Sequence, residues 1–560
     1  MAACVIRPAK GGVCRPPAAK AKALTAPPLQ DIWKKKKGAH LGVHLAMLLW
    51  PYQFAGAIHM FGAGAFQAAF QAAFQAAGQV AVQVPGQGAG VFSSITGGLS
   101  RQISEIGAQL SGLAFEPTLR LGVTGLSRAG KTVFITALIA NLLDRRRMGQ
   151  LKAGGRIEAV YLQPQPDDTL PRFAYEDHLA ALTGDAPHWP HSTRAVSELR
   201  LSFRIAPYGV LGGLTGPRLL HLDIVDYPGE WLLDLALLDK SYVQWSEESL
   251  SRLPHRREGA DYLAMARAED GALQLDEGRA TALAAAFTAY LQAAKAAGWS
   301  DCSPGRFLLP GDLAGSPALT FAPLPPSDTP RGSMAREMAR RYEAYKSRVV
   351  QPFFRQHFAA IDRQIVLVDV LGAIHQGPRA LEDLRRTMAD VLGAFKPGRS
   401  RFLSQILGGK RVEKILFAAT KADHLHSAQH AALTGIMQAM LREAISRADF
   451  AGAETAAMSV ASLRCTVEEM LTQNGAALPA VRGRQADTGR QVALYAGELP
   501  TDPMRLLSPA RQGAEGWLDA DFGLMQFAPA LGASGGGQIT GGLPHIRLDR
   551  AAEFLIGDRL

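Results

Sequence analysis

The sequence predicts an α/β protein with a doubly wound, mostly parallel sheet that carries large helical insertions. Three observations lead to this prediction. Short apolar runs alternate with segments of helical periodicity, which is the pattern of parallel strands joined by crossover helices. A glycine-rich turn separates one such run from a helical segment within residues 121–143. Two stretches, at about 149–195 and 236–362, are far longer than ordinary connections and contain helical patterns.

The net charge of the 560-residue chain is +10, but most of it lies near the N-terminus. Residues 1–50 contain nine Lys and Arg against one acidic residue, so +8 of the +10 belongs to them. The rest of the chain is nearly neutral, which argues against a nucleic-acid partner. The four cysteines show no CxxC pair and no zinc-ligand spacing, which argues against a disulfide framework and a structural zinc.

The first 92 residues differ in composition from the rest. Residues 38–100 contain no Asp, Glu, Lys or Arg, and AFQAAFQAAFQAAG (65–78) repeats every four residues. Four lysines precede the apolar stretch 41–60, so a membrane signal anchor is one interpretation. We favour a disordered leader, basic and then of low complexity, because proline, glutamine and histidine interrupt that stretch. Residues 93–116 predict an amphipathic helix ahead of a domain at 117–560.

The turn after the first apolar run has the spacing of a phosphate-binding loop. The segment LGVTGLSRAGKT (121–132) matches GxxxxGK[ST] between a strand-like and a helical run. Glycines let backbone N–H groups point at phosphate oxygens, and the helix N-terminus adds partial positive charge. We expect Lys131 to reach the β- and γ-phosphates and Thr132 to ligate Mg²⁺. The predicted phosphate-binding residues are Gly125, Ser127, Arg128, Ala129, Gly130, Lys131 and Thr132.

The next apolar strand that ends in an acidic residue is LLHLDIVDYPGEW (219–231), in which Asp226 and Gly229 match DxxG. We expect the carboxylate to hold Mg²⁺ and the Gly229 N–H to meet a γ-phosphate. Asp369 also ends an apolar run, but the glycine of DxxG favours Asp226. A threonine before the second core strand is expected to cover the γ-phosphate and the metal, with Ser192 as the alternative to Thr193. The predicted metal ligands are Thr132, Thr193 and Asp226.

A later apolar run, VEKILFAATKADHL (412–425), ends in the [NT]KxD pattern of GTP-binding proteins. In that pattern the aspartate accepts two hydrogen bonds from guanine, and the lysine stem packs over the base. Adenine lacks this pair of donors, so the pattern favours GTP over ATP. The strand in TAAMSVASLRCT (455–466) is expected to end beside the base. The predicted base-contacting residues are Thr420, Lys421, Asp423 and Ala461.

Two residues are candidates for the chemical step. Glu230 stands where many GTPases have a glutamine that positions the attacking water. Because a carboxylate adds negative charge near the γ-phosphate, we expect hydrolysis to be slow or to depend on a partner. Arg194 is a candidate arginine finger in cis. The alternative for Arg194 is an exposed arginine that bridges a loop and a helix.

The order of these strands, with IVLVDVL (365–371) between the DxxG and TKAD strands, is that of a Ras-like P-loop NTPase core. The segments LGVTGLSRAGKT, HLDIVDYPGEWLLDL, IVLVDVL, FAATKADHLH and LPHIRLDRAAEFLIGDRL resemble the YcjX-like family of bacterial stress proteins. The resemblance runs from about residue 93 to the C-terminus. It implies a P-loop nucleotide-binding protein that is cytoplasmic, induced under envelope stress and often encoded beside a membrane protein. A membrane-protein partner and a peripheral position at the inner membrane therefore stay open.

The sequence thus predicts a Mg²⁺-dependent GTP-binding protein with slow GTP hydrolysis, acting as a stress-related molecular switch. We expect the helical insertions to respond to the bound nucleotide, because γ-phosphate contacts order switch loops. One alternative is an ATPase with the same P-loop. Another is a nucleotide-stabilised, membrane-associated scaffold with little turnover. A guanine nucleotide is the expected partner, and the sequence does not give the oligomeric state.

Overall fold

The parallel strands at the centre of the molecule are apolar on both faces. The computed structural model describes residues 116–126, 128–191, 193, 195–207, 217–357, 360–393, 412–450, 452–473, 475–512, 526–529 and 542–560. The predicted leader (1–92) and the predicted amphipathic helix (93–116, apart from its last residue) lie outside this part of the chain. Ser127, Ser192 and Arg194 also lie outside it.

A seven-stranded sheet forms the core of the described residues. Its strands are β1 (Thr118–Gly125), β2 (Ile157–Gln163), β3 (Ser197–Ile205), β4 (Arg218–Asp226), β5 (Arg363–Val368), β6 (Lys414–Ala419) and β7 (Glu454–Ser459). Their order across the sheet is β2-β3-β4-β1-β5-β6-β7. The strands from β4 to β7 in this order are parallel, whereas β3 runs antiparallel to both of its neighbours, β2 and β4. The predicted fold class, a Ras-like P-loop core with a mostly parallel sheet, is confirmed.

Helices lie on both faces of this sheet, and others form the second insertion. The described helices are α1 (Lys131–Leu143), α2 (Tyr175–Thr183), α3 (Tyr242–Arg252), α4 (Ala260–Ala268), α5 (Glu277–Ala297), α6 (Gly305–Leu308), α7 (Met334–Tyr345), α8 (Gln351–His357), α9 (Val370–Gln376), α10 (Pro378–Gly393), α11 (His430–Met440), α12 (Arg442–Phe450), α13 (Met504–Gln512) and α14 (Leu548–Ile556). A π-helical turn, Lys346–Val350, joins α7 to α8. A 3₁₀ helix, Gly229–Leu237, follows the DxxG residues.

Alternate residues of the parallel strands face two hydrophobic cores. In β5, Ile365 and Leu367 pack in the core that contains α1 and α14. Val366 and Val368 face the opposite core, which contains α10 and the helices of the second insertion. Burying each such side chain contributes roughly 1.5–3 kcal/mol. Because both faces are covered, these strands appear in the sequence as continuous apolar runs.

The second insertion, 236–362, is helical and has its own aromatic packing. Within it, α5 follows the cap residue Asp276 and ends at Gly298, which has φ +97°. Residues 334–357 form α7, the π-helical turn and α8. Trp245 of α3 stacks on Tyr342 of α7 with ring centroids 5.0 Å apart. The helices therefore pack as a subdomain whose inner surface contacts Gly229–Leu237.

The first insertion, 149–195, was expected to be helical, but it contains the edge strand β2 as well as α2. Among the strands that the structure describes, β2 pairs with β3 alone, and most of its residues are partly or fully exposed. A second sheet of three antiparallel strands, β8 (Thr466–Gln473), β9 (Ala476–Arg484) and β10 (Gln491–Leu494), follows β7. Of the helices described, none combines the length and the apolar composition that crossing a membrane requires. The apolar stretch 41–60 lies outside the described residues.

Candidate nucleotide-binding site

The loop between β1 and α1 closes around the side chain of Lys131. The Lys131 Nζ donates a hydrogen bond to the carbonyl oxygen of Gly125 at 3.1 Å, and the residue is buried. A β-carbon at position 125 would lie 2.8 Å from the Leu367 carbonyl oxygen, so only glycine fits there. Gly130 has φ +83°, in the left-handed region that favours glycine. The two glycines of the motif are therefore required by close approach and by backbone conformation.

The three predicted metal ligands lie in one hydrogen-bonded chain. The Thr193 hydroxyl donates to Asp226 Oδ2 at 2.6 Å. The hydroxyl oxygens of Thr132 and Thr193 are 3.3 Å apart. Asp226 Oδ1 is buried and accepts no hydrogen bond from the described residues. A set of hydroxyl and carboxylate oxygens with one unused buried oxygen fits Mg²⁺, which prefers oxygen ligands and retains several waters.

The charge on Asp226 is affected by burial and by a lysine. Burial raises the pKa of the Asp226 carboxyl to about 6, although Lys131 and the hydrogen bond from Thr193 oppose this shift. A divalent cation beside the carboxylate would favour the ionised form further. Keeping the buried Asp226 carboxylate ionised therefore costs free energy unless a cation binds beside it.

Gly229 brings the segment after β4 into direct contact with the phosphate-binding loop. A β-carbon at position 229 would lie 2.2 Å from the carbonyl oxygen of Gly125 and 2.8 Å from Lys131 Nζ. The glycine of DxxG is therefore needed for this close approach. Its backbone stands beside the lysine that the sequence assigns to the β- and γ-phosphates.

Glu230 is buried and forms an ion pair that the sequence did not predict. Its Oε1 lies 2.5 Å from Nζ of Lys295, in the last turn of α5. Burial alone would raise the pKa of the Glu230 carboxyl. The hydrogen bond and charge of Lys295, with a smaller contribution from Lys131, hold this pKa below its usual value. Glu230 is therefore an ionised carboxylate with a lysine from the helical insertion beside it.

The TKAD residues line a cavity that Lys131 and Thr132 also line. Asp423 is buried, and its Oδ2 accepts a hydrogen bond from the Cys465 N–H at 2.9 Å. Asp423 Oδ1 accepts no hydrogen bond from the part of the chain that the structure describes. Lys421 has φ +60°, and its Nζ lies 2.5 Å from Asp369 Oδ2. The Asp369 Oδ1 caps α9 through the Gly372 N–H, so Asp369 holds the TKAD lysine and begins a helix.

Ala461 lines the cavity, but its backbone is already paired. Its N–H donates to the carbonyl oxygen of Ile546 at 3.1 Å, and the Ile546 N–H donates back at 2.8 Å. The amides of Ser462 and Leu463, which also line the cavity, have no hydrogen-bond acceptor among the described residues. Unlike the Ala461 amide, these two amides are available to donate to a ligand in the cavity. Arg547 supports this loop through hydrogen bonds to the Ser459 carbonyl and hydroxyl.

A cavity of about 630 Å³ connects these groups. It is lined by residues 128–133 of the phosphate-binding loop and α1, by Thr193 and Glu230, by Thr420, Lys421 and Asp423, and by residues 461–463. The volume lies within the range of about 300–1,000 Å³ that is usual for small-molecule sites. Five separate stretches of the sequence therefore meet around one space, although Asp226 and Gly229 of the DxxG pattern are not among the residues that line it.

Other residues of the cavity wall were not predicted. Lys295 comes from the helical insertion, while Trp189 and Phe527 form an aromatic wall in which Trp189 Nε1 donates to the Phe527 carbonyl at 2.9 Å. The ring of His424 meets that of Phe527 edge to face. None of these residues belongs to a short motif. Their contribution depends on contacts between segments far apart in the sequence.

Comparison with known proteins gives a consistent result. The profile of the YcjX-like family (DUF463) matches residues 119–560. A protein of Escherichia coli (strain K12) named Ras-like GTPase YcjX is 39% identical over 459 residues, which cover 79% of this chain and 96% of that protein. A protein of the same name from Shewanella oneidensis is 34% identical over 469 residues, covering 79% of this chain and 94% of its own length.

Proposed function

Because the chain belongs to the YcjX-like family, we propose that it is a Mg²⁺-dependent GTP-binding protein that slowly hydrolyses the β–γ bond of GTP. The observation that carries this proposal is the single cavity that joins the phosphate-binding loop to the TKAD aspartate. The name Ras-like GTPase of both relatives supports it. Binding of the phosphates and of the base at opposite ends of one cavity is what a nucleoside triphosphate requires.

The base end of the cavity favours guanine. Asp423 offers a free carboxylate oxygen and a second one that accepts a single amide, while guanine has two adjacent N–H donors. A buried carboxylate loses hydrogen bonds when it binds a base that lacks these two donors, so the affinity for such a base is much lower. The unused amides of Ser462 and Leu463 complement the guanine carbonyl oxygen.

The phosphate end would hold the triphosphate and the metal through residues of three segments. The backbone of residues 128–131 and the ammonium of Lys131 are assigned to the phosphates, with the Gly229 N–H at the γ-phosphate. Thr132, Thr193 and Asp226 would hold Mg²⁺, which when bound neutralises charge on the β- and γ-phosphate oxygens. Glu230 is assigned to the attacking water, and its negative charge is the reason for proposing slow turnover.

The helical insertion is placed to respond to the bound nucleotide. Asp234, in the 3₁₀ helix after DxxG, accepts a hydrogen bond from the Gly305 N–H and another from the Tyr345 hydroxyl, both at 2.7 Å. The Arg306 guanidinium lies 3.2 Å from the centre of the Trp231 ring. A shift of Gly229–Leu237 toward a γ-phosphate would therefore be transmitted to the insertion. This supports a molecular switch, and on the family resemblance alone we propose a stress-related role in the cytoplasm.

Affinity and turnover, measured together, test the proposal. We expect GTP to bind more tightly than ATP, Mg²⁺ to strengthen GTP binding, and a single turnover to yield GDP slowly. Tighter binding of ATP would favour the ATPase alternative. Tight GTP binding without any release of phosphate would favour the nucleotide-stabilised, membrane-associated scaffold.

The proposed arginine finger has a separate test. Arg194 lies outside the described residues, so its role stays a prediction. Arg194→Ala is expected to slow single-turnover hydrolysis while leaving GTP affinity nearly unchanged, because a finger contributes about 10³–10⁵ in rate where it operates. Hydrolysis by this variant at the wild-type rate would remove Arg194 from the mechanism.

A further inference from the structure

Lys295 reaches the nucleotide cavity from the helical insertion. Its Nζ lies 2.5 Å from Glu230 Oε1, and its side chain, about 29% exposed, lines the cavity together with Lys131 and Thr132. Glu230 directly follows Gly229, whose backbone stands against Lys131 Nζ. Lys295 therefore pairs with the residue that follows Gly229, whose N–H is assigned to the γ-phosphate.

The backbone that carries Lys295 is held firmly against the segment after DxxG. Leu291 and Ala294 of α5 are buried, and Gly298 ends the helix through hydrogen bonds from its N–H to the carbonyls of Ala294 and Lys295. A β-carbon at Gly305 would lie 1.9 Å from the Glu230 carbonyl oxygen, so the insertion and Glu230 pack without a gap. The backbone at the end of α5 is therefore fixed, whereas the flexible four-carbon stem of Lys295 allows its ammonium to move within the cavity.

We propose that Lys295 is a catalytic cation that the helical insertion supplies in cis for GTP hydrolysis, an inference that rests on the proposed function. When GTP fills the cavity, the ammonium of Lys295 exchanges part of its contact with Glu230 for the γ-phosphate oxygens. The Lys295 charge stabilises the negative charge that develops on those oxygens and on the leaving group.

The reaction balances without any further reagent. The oxygen of water forms a bond to the γ-phosphorus, and the bond from that phosphorus to the bridging oxygen breaks, leaving its electron pair on GDP. The proton lost by water ends on inorganic phosphate. Glu230, with its partner partly withdrawn, accepts a hydrogen bond from the water and orients it. Pairing with Lys295 before GTP binds keeps the carboxylate charge from repelling the γ-phosphate.

The competing explanation is that Lys295 only neutralises Glu230. In that case the lysine has no contact with phosphate, and removing both charges in a double variant would restore the wild-type rate, because a glutamine at position 230 can still position the water, as it does in many GTPases, but has no charge to neutralise. If Lys295 acts on the γ-phosphate, the double variant Lys295→Met/Glu230→Gln stays slow. The double variant therefore separates a catalytic from a merely charge-balancing role.

The experiment uses the full chain and three variants besides the double one. Lys295→Met removes the charge, Lys295→Arg keeps it, and Arg279→Met is the matched control. Arg279 lies on the same helix, pairs with Glu269 at 2.8 Å, and is about 24 Å from Lys295 at 1.5 Å per helical residue. Three quantities are measured: affinity for GDP, the gain in that affinity when aluminium fluoride mimics the transferred phosphoryl group, and the single-turnover rate with GTP.

We expect Lys295→Met to bind GDP normally, because GDP has no γ-phosphate. The gain from aluminium fluoride is expected to disappear, and hydrolysis to slow by about 10²–10³-fold, as for loss of one transition-state donor. Lys295→Arg is expected to keep part of both, and Arg279→Met to match the wild type. A wild-type rate and aluminium fluoride gain in Lys295→Met, or a restored rate in the double variant, would overturn the inference about Lys295 alone. Failure of the wild type to bind GTP would overturn the proposed function itself.

Discussion

Lys131 is the residue on which the phosphate-binding proposal depends most. Its ammonium lies inside the loop, against the Gly125 carbonyl. We expect Lys131→Ala to weaken GTP binding about 10–100-fold, because a charge-assisted hydrogen bond contributes about 1.5–3 kcal/mol. Titration with a fluorescent, non-hydrolysable GTP analogue measures this, and Lys152→Ala is the control because the Lys152 side chain is 87% exposed. Unchanged affinity in a folded Lys131→Ala protein would contradict the phosphate-binding assignment.

Asp226 is the residue that decides whether the metal matters. Asp226→Asn keeps the shape of the side chain but removes its charge, so Mg²⁺ is expected to lose its strengthening effect on GTP affinity. The comparison is a GTP titration with Mg²⁺ and with a chelator. Asp223→Asn, which removes a carboxylate paired with Arg200 on the same strand, is expected to keep the wild-type response. A full Mg²⁺ effect in Asp226→Asn would show that the metal is held elsewhere.

At the scale of single residues, the sequence predicts those residues whose role follows from the spacing within a short motif. Lys131 and Asp226 each belong to a short motif made of a strand and the loop that follows it, so their surroundings are set by neighbours in the chain. Lys295 could not be predicted, because its partner Glu230 is 65 positions away and no pattern links the two. The pairing of the Ala461 amide with Ile546 is equally non-local, which is why the base-contacting role of Ala461 stays a prediction.

At the scale of elements, the 3₁₀ helix Gly229–Leu237 connects the nucleotide site to the insertion, and Asp234 is its central contact. Asp234 is buried, and burial raises its pKa from 3.8 to about 7. Between these values the folded state binds more protons than the unfolded state. The stability that this carboxyl contributes is therefore fully present below about pH 4 and is lost as the pH rises through 7.

Asp234→Asn removes this titration while keeping a side chain of the same shape. We expect the free energy of unfolding of the wild type to fall, relative to the variant, by at most about 1.4 kcal/mol per pH unit between pH 4 and 7. Urea denaturation at several pH values measures the difference. Asp239→Asn, at an exposed position nearby, is expected to follow the wild type. Identical pH dependence in wild type and Asp234→Asn would contradict the assignment of this shift to Asp234.

The elements that the sequence predicts well are those with strong periodicity or two buried faces. β5 and β6 contain continuous apolar runs, β1 and β4 are almost entirely buried, and α5 has clear caps at both ends. β2 was missed because IEAVYLQ is a partly exposed edge strand with only weak alternation. The sheet of β8, β9 and β10 was missed for a similar reason, since its strands contain charged residues and expose Val467 and Met470.

At the scale of the whole molecule, the account depends on one cavity assembled from distant segments. The meeting of the motifs at one edge of the sheet could be predicted, because each motif ends a strand and the carboxyl ends of parallel strands share one edge of the sheet. The packing of the helical insertion against Glu230 could not, since its contacts cross 65 or more positions of chain. Asp423 and Lys131 both line this cavity, and a guanine nucleotide that contacts both is the central claim.

The most direct test of that claim is the base preference of Asp423→Asn. The new amide can donate to the C2 oxygen of xanthine, whereas the original carboxylate accepts from the guanine amino group. We predict that the wild type binds GTP more tightly than both ATP and xanthosine triphosphate. Asp423→Asn is predicted to prefer xanthosine triphosphate, with the ratio of the two affinities changing by at least about 100-fold. Tighter binding of ATP than GTP by the wild type, or an unchanged base preference in Asp423→Asn, would contradict the account.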